Sequence, residues 1–331
     1  MEFSDKRKML VNCTLLISGP LISTIKEEQL IKSFSILNDL KNQCSLTIII
    51  STYQNELTQA LRNFPFTFIL NHDPGPDTYY TGLAILRSKT NKVTRNTTRM
   101  LSTTSLGLSQ VRTEFVIKTR AEILPSKTEF AQVLFQILEN NLESEKIVFL
   151  AEHYTGLSYS EKKPLLLWTP DVFQIMRTSD GLKMWEGALD LWKKYKKNFV
   201  GKSIHVVLAN EQVLGLSLVH NFIKPLSEKK LKRYHRYSCS LRFIRANLKF
   251  EHQMFRSVHY DALFLGEGRF RWNNKLSPTI TLPISQTNTR KYLTVLNFLI
   301  RGRYFLFKSL ISRFINFCLE YKLGFRNKLD K

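Results

Sequence analysis

Cysteine is the first scarcity. The chain has 4 cysteines in 331 residues, Cys13, Cys44, Cys239 and Cys318, and no two of them form a C-x-x-C pair. That scatter excludes a disulfide scaffold and a zinc cluster, and it fits a reduced, cytosolic chain. Glycine, at 13 residues, shows no collagen-like repeat, and no internal repeat or low-complexity tract is present. Long apolar runs are missing as well. No window reaches the ~18 uncharged apolar residues that a membrane-spanning helix needs, and the C-terminal run from Tyr292 to Ile300 is too short. The N-terminus, Met1-Glu-Phe-Ser-Asp-Lys-Arg-Lys8, is charged and has no hydrophobic stretch of the signal-peptide kind. Neither a secreted nor a transmembrane protein is predicted.

Acidic residues are also few. There are 27 Asp+Glu against 49 Lys+Arg, a net charge of +22. The imbalance is local. Residues 224–331 hold 23 Lys+Arg and 6 Asp+Glu, a net of +17, which leaves +5 for residues 1–223. At 43% hydrophobic residues the chain has ample material for a core, and disorder is excluded. The charge therefore predicts a near-neutral globular part, residues 10–223, and a basic part, residues 224–331.

The first part alternates strands and helices. Val11 to Ser18 reads as a strand closed by Gly19-Pro20, and Thr24 to Lys41 carries apolar residues at helical spacing. Leu46 to Ile50 is a β-branched run typical of a strand buried on both faces, ending at Ser51-Thr52. A short helix over Glu56 to Arg62 leads to the strand Phe66 to Leu70. That strand stops at the turn-forming loop Asn71 to Pro76. A helix from Thr94 to Ser109 and a strand from Phe115 to Lys118 follow. Then come a helix over Lys127 to Asn141, a strand Ile147 to Leu150, a helix from Asp180 to Lys197 and a last helix from Asn210 to His220. This succession predicts an α/β fold with a mainly parallel, Rossmann-like sheet flanked by helices. Ligands of such sheets bind past the carboxyl ends of the strands. The segments to watch are Ser18-Gly19-Pro20, Ser51-Thr52, Asn71 to Pro76 and Lys118 to Glu122.

One stretch is richest in chemistry. Asn96 and Arg99, at i and i+3, share a helix face, and the next strand ends in Lys118, Arg120 and Glu122. Cations beside a lone carboxylate suit a diphosphate, which arginine binds bidentately, and Glu122 could add a hard oxygen ligand for Mg2+ or Mn2+. The plainer reading is that Arg99, Arg120 and Glu122 form a surface ion-pair set.

The stretch Asn96-Thr-Thr-Arg99, Thr103-Thr104, Gly107-Leu108, then Lys118-Thr-Arg120-Ala-Glu122, resembles the motif block of the WavE-type lipopolysaccharide synthesis family. Ile17-Ser-Gly19-Pro20, Ser51-Thr52-Tyr53 and Asp73-Pro74-Gly75 resemble its earlier motifs in the same order. Pro170-Asp171, Thr178-Ser-Asp180 and Asn210-Glu211-Gln212 resemble its later ones. The likeness runs from about Val11 to His220. Glu122 stands where the family usually has Asp, Thr103 where it has Ser, Tyr53 where it has Trp and Met100 where it has Gln.

The resemblance implies a GT-A-like glycosyltransferase. It would move a sugar from a nucleotide-diphospho-sugar to a lipopolysaccharide or other surface-glycan acceptor. Donor binding would fall to Ser18, Gly19, Pro20, Ser51, Thr52, Asp73, Asn96, Arg99, Lys118 and Arg120, with Glu122 as a metal ligand. Charge growing on the leaving diphosphate calls for cations, and an inverting reaction calls for a carboxylate base. Glu122, Asp171, Asp180 and Glu211 are the catalytic candidates. Asp180 could instead be a helix N-cap, and Glu211 could serve only the helix dipole.

The basic part mixes aromatic residues with cations, as in Lys229-Lys-Leu-Lys-Arg233 and across Lys291 to Leu323. Such a pattern predicts a helical extension lying on an anionic membrane surface, where a lipid-linked acceptor would be found. The expected place is peripheral, at the cytoplasmic face of an inner membrane, with no nucleic-acid partner. The competing reading is a non-catalytic basic module that binds nucleic acid or anionic lipid.

Overall fold

The computed structural model describes residues 12–80, 92–121, 124–125, 134, 138, 147–150, 167, 169, 171–196, 207–223, 255–258, 307 and 311. The described chain runs β1 (Cys13–Ser18), α1 (Glu27–Cys44), β2 (Thr47–Tyr53), α2 (Gln59–Arg62), β3 (Thr67–Asn71), β4 (Asp77–Tyr80) and β5 (Lys92–Arg95). It continues through α3 (Thr97–Ser109), β6 (Phe115–Thr119), β7 (Ile147–Leu150), β8 (Gln174–Arg177), α4 (Thr178–Tyr195), α5 (Asn210–Leu218) and β9 (Phe255–Val258).

Seven strands form one sheet in the order β3-β2-β1-β6-β8-β7-β9, and β4 and β5 form a separate antiparallel hairpin. β1 pairs in parallel with β2 and β6, and β2 with β3. Among the described strands of this sheet only β8 runs against its neighbours, pairing antiparallel with both β6 and β7. The fold is a mostly parallel sheet flanked by helices. β1 lies inside it, between β2 and β6, with all six residues buried, which is why it reads as an unbroken apolar run.

Side-chain alternation divides the core in two. Cys13, Leu15 and Ile17 of β1 pack with Leu30, Phe34 and Leu37 of α1 on one face. Phe34 meets Phe64 and Phe66 edge-on, each at 5.4 Å. On the other face Leu16, Ile49 and Val116 pack against Leu101 and Leu108 of α3 and Met184 and Trp185 of α4. Two glycines bring these helices in close. A Cβ on Gly107 would lie 2.6 Å from Leu16 Cδ1 and 2.9 Å from Ser51 Cβ, so α3 sits almost on the sheet. At Gly215 of α5 it would lie 1.9 Å from the main-chain oxygen of Leu167.

Three features differ from the sequence reading. The helix expected from Thr94 starts at Thr97, because Lys92–Arg95 pairs with Asp77–Tyr80 as a hairpin. The reversed strand β8 occupies the interval before α4. The sheet also takes its edge strand β9 from beyond residue 223, pairing Phe255–Val258 with β7. Most of the helix expected over Lys127 to Asn141 lies outside the described residues, though Leu134 and Leu138 are helical and buried.

Candidate functional site

The register aligns the carboxyl ends of the parallel strands on one edge: Ser18 faces Ser51, Tyr53 faces Asn71 and Ile17 faces Thr119. The chain moves outward from β1 to β3, then returns to β6 on the other side of β1. Ligands of open α/β sheets bind in the crevice at such a switch point.

Gly19 closes β1 with φ +110, a left-handed conformation that favours glycine, and its N–H donates to the Ser51 carbonyl at 3.0 Å. Among the described residues, its chain neighbours aside, no atom lies within 4 Å of where a Cβ would be. Pro20 follows, partly buried. Behind this turn the buried carboxylate of Glu56 accepts the N–H groups of Leu21 and Ser23, both at 2.9 Å. Glu56 thereby fixes the loop after β1, a role the sequence reading missed.

Several expected donor-binding residues make contacts within the frame. Ser18 Oγ lies 2.9 Å from Thr104 Oγ1 on α3. Ser51 donates to the Thr103 carbonyl at 2.7 Å and accepts from Asn71 at 3.1 Å. Both serines join strand to helix. Thr52 is fully buried and its hydroxyl has no hydrogen-bond partner among the described residues.

Arg99 and Asp73 form a two-pronged ion pair. Nε donates to Oδ1 at 2.6 Å and Nη2 donates to Oδ2. The guanidinium lowers the Asp73 carboxyl pKa and the carboxylate raises that of Arg99. Asn96, exposed just before α3, accepts from Arg99 at 3.3 Å. The guanidinium lies 6.0 Å from the centre of the Tyr53 ring, whose phenol is pushed up to about 12, chiefly by burial. A phosphate could reach Arg99 only by competing with Asp73.

Lys118 is not at the surface. Its side chain is fully buried, its ammonium stands 4.7 Å from the centre of the Trp185 ring, and Nζ donates to the main-chain oxygen of Asp171. Two residues on, Arg120 emerges at the edge, 29% exposed, with Nη1 3.6 Å from the buried Asp171 carboxylate. Glu211, in the first turn of α5, stands close enough to Asp171 for the two carboxylates to repel. Its carboxyl is pushed up to about 7, first by burial and then by Asp171, against the pull of Arg120 and Arg95. Arg95 donates to the Leu208 carbonyl at 3.0 Å, just ahead of α5. Two carboxylates and two guanidiniums thus converge past the end of β6. Arg95 was not anticipated; only its place beside Asn96 could have marked it.

Asp180 is on the opposite edge. Because β8 is reversed, Arg177 pairs with Phe115 at the start of β6, and Thr178 N–H donates to the Glu114 carbonyl at 2.8 Å. The structure therefore separates Asp180 from Asp171 and Glu211. Its raised pKa comes from burial, eased by Arg177 and Lys183. Glu122, the expected metal ligand, lies outside the described residues. Among the described residues no group of three or more His, Cys, Asp or Glu side chains could hold a metal ion, and Arg120 already sits at Asp171. The Mg2+ or Mn2+ expectation finds no donor set here.

A family model for WavE lipopolysaccharide synthesis matches residues 13–254, from the first residue of β1 to the residue before β9. The chain belongs to the WavE lipopolysaccharide synthesis family. No curated protein matches it. Among solved structures it is similar to a 4-diphosphocytidyl-2C-methyl-D-erythritol synthase from Anaerococcus prevotii. The identity is 10% and the TM-score 0.36, over 77% of this chain and 91% of that one. It is also similar to the glycosyltransferase GlyE of Streptococcus pneumoniae, at 10% identity and TM-score 0.34, over 90% of this chain and 63% of that one. These likenesses concern the fold alone. Within the WavE chain, the late motif positions Asp171 and Glu211 meet at one edge, while Asp180 does not join them.

Proposed function

We propose that this WavE-family chain is a glycosyltransferase that moves a sugar from a nucleotide-diphospho-sugar to a lipopolysaccharide or other surface-glycan acceptor. The observation that carries the reading is the pairing of Asp171 with Glu211 under Arg120 and Arg95 at the sheet's switch-point edge. A structural α/β module has no need of two repelling carboxylates there. The donor's diphosphate would face Arg120, which like Arg95 is part-exposed. As the bond between the anomeric carbon and the diphosphate oxygen breaks, negative charge grows on that oxygen. Arg120, fixed in place beforehand, offsets it without reorganising. The acceptor oxygen bonds to the anomeric carbon and gives its proton to Glu211. A carboxylate titrating near neutrality is matched to that task. The proposed course is inverting, with the nucleoside diphosphate as leaving group and no step routed through a metal.

Residues 10–223 would supply the donor site, and residues 224–331 would hold the enzyme to an anionic membrane surface carrying the acceptor. Supporting this, Phe307 and Ile311, four residues apart on a helix, are 64% and 43% exposed in the most basic part of the chain. Among the described residues no helix is long and apolar enough to cross a membrane. The proposed place is peripheral, at the cytoplasmic face of an inner membrane.

A thermal-shift screen of UDP-, GDP-, CMP- and TDP-compounds, with and without Mg2+ or Mn2+, tests the donor claim. One nucleotide class should raise the melting temperature. Stabilisation by RNA and by none of the nucleotides refutes the transferase. Once a donor is found, Asp171→Ala should lower turnover at least ~100-fold, the scale of a lost acid-base or electrostatic group. Asp180→Ala, on the far edge, should leave turnover unchanged.

A further inference from the structure

Burying an ammonium inside a core is costly unless its hydrogen bonds and charge are answered. Lys118 is fully buried, as are the neighbours Gln174 and Trp185. Its surroundings are specific. The ammonium lies 4.7 Å from the centre of the Trp185 ring, within cation–π range. Trp185 Nε1 donates to Gln174 Oε1 at 3.0 Å, and Gln174 is the residue paired with Lys118 across β6 and β8. Ring, amide and ammonium therefore form one locked unit where the reversed strand begins. A further contact is the hydrogen bond from Nζ to the main-chain oxygen of Asp171.

Asp171 stands in the connection leading into β8, and no ladder bond to β6 holds it, since that pairing begins at Gln174. Lys118 reaches from inside the sheet to pin this peptide. Two residues further along the same chain, Arg120 reaches the Asp171 carboxylate from the edge. One strand end thus grips the residue twice, by backbone from below and by side chain from outside.

We propose that Lys118 is a positioning residue: its buried ammonium fixes the Asp171 backbone so that the carboxylate is held between Arg120 and Glu211. The role of this set in catalysis rests on the transferase reading above; the positioning itself does not. Lys118 never meets the donor, so its removal acts on the geometry of the carboxylate pair and spares the affinity for nucleotide.

The test has two arms. The first needs no activity. The Glu211 titration is followed by its side-chain carboxyl 13C shift, assigned with Glu211→Gln. The groups facing it are Asp171, Arg120 and Arg95. Asp171→Asn removes the repulsion and lowers the Glu211 midpoint. In a Lys118→Met background the same change should lower it by less than half as much, because Asp171 is no longer held there. Comparing Asp171→Asn within each background cancels the direct effect of the lost ammonium. Equal lowering in both overturns the proposal. The second arm uses the donor class found by the thermal screen. Lys118→Met should reduce kcat at least ~10-fold with donor KM within ~3-fold, as misplacement of a reacting group does. Lys118→Arg, which keeps charge and donor, should recover part of the loss. A rise in donor KM with kcat unchanged would place Lys118 in donor binding and overturn the idea.

If no donor turns over, the first arm still decides. If Lys118→Met does not fold, the unaltered protein serves. A buried, hydrogen-bonded ammonium gives a slowly exchanging side-chain 15N–1H signal, and its absence refutes the buried contact.

Discussion

Replacing Glu211 by Gln should stabilise this protein at alkaline pH and leave it little changed in acid. The carboxyl is raised from 4.5 to about 7 in the folded chain. In the unfolded chain it titrates at its ordinary value. Between those two values the native state holds a proton that the unfolded state has released, so stability falls as pH rises. The contribution of the protonated group is complete below about pH 4.5 and is lost as pH climbs through about 7. Above that, the partly buried anion carries a constant penalty. A shift of about 2.5 units at about 1.4 kcal/mol per unit gives roughly 3.5 kcal/mol as an upper bound, and side-chain relaxation brings it nearer ~2 kcal/mol. Gln keeps the shape and removes the charge. Urea unfolding of both proteins at pH 5, 6, 7 and 8 should give curves that diverge progressively, with the variant ahead by about 2 kcal/mol at the alkaline end. The reasoning fails if the gap is flat with pH, or if the variant is the weaker at pH 8. The second outcome would mean that Arg95 and Arg120 stabilise the anion more than burial and Asp171 penalise it. The same variant should lose transfer activity at every pH, a gain in stability set against a loss of chemistry.

Two further outcomes follow from packing and from charge. Gly215→Ala puts a methyl group 1.9 Å from the Leu167 carbonyl oxygen, a backbone atom that cannot swing aside. It should cost at least ~2 kcal/mol in urea unfolding and displace Glu211, with a loss of less than ~0.5 kcal/mol refuting the tight contact. Phe307→Ser with Ile311→Ser should release the protein from vesicles containing anionic lipid in a flotation assay. Flotation equal to that of the unaltered chain refutes the membrane role of these two residues.

The sheet was legible because its strands are continuous apolar runs. Cys13 to Ser18 and Thr47 to Tyr53 are too apolar for a surface element, and α1 shows its period through Leu30, Phe34 and Leu37. The hairpin of Asp77–Tyr80 and Lys92–Arg95 was not legible, since both strands are short and their pairing leaves no apolar repeat. β8 was hidden for a related reason: four residues are too few to show alternation, and nothing in Gln-Ile-Met-Arg announces a reversal of direction. At the site, residue types were easier to read than their partners. Arg99 and Lys118 look alike in sequence, as cations near strand ends. One is held by Asp73 and the other is buried on Trp185. Both partners are distant along the chain, and no spacing rule reveals a contact made by folding. Asp171 and Glu211 could be named in advance, but their meeting depends on where β8 enters and on how closely α5 approaches Leu167.

The reversal of β8 has a consequence for how this protein tolerates change. A strand laid head-to-tail among its neighbours opens on one rim of the sheet and closes on the other. Residue 171 is thereby delivered to the rim of the proposed site, while α4 departs from the opposite rim. There Arg177 meets Glu114 in an exposed ion pair at 2.7 Å. That quiet rim is where a fused tag, an inserted loop or natural variation can accumulate without disturbing the carboxylates. A deletion or slip within the four residues of β8 has no such freedom, because it moves both rims at once.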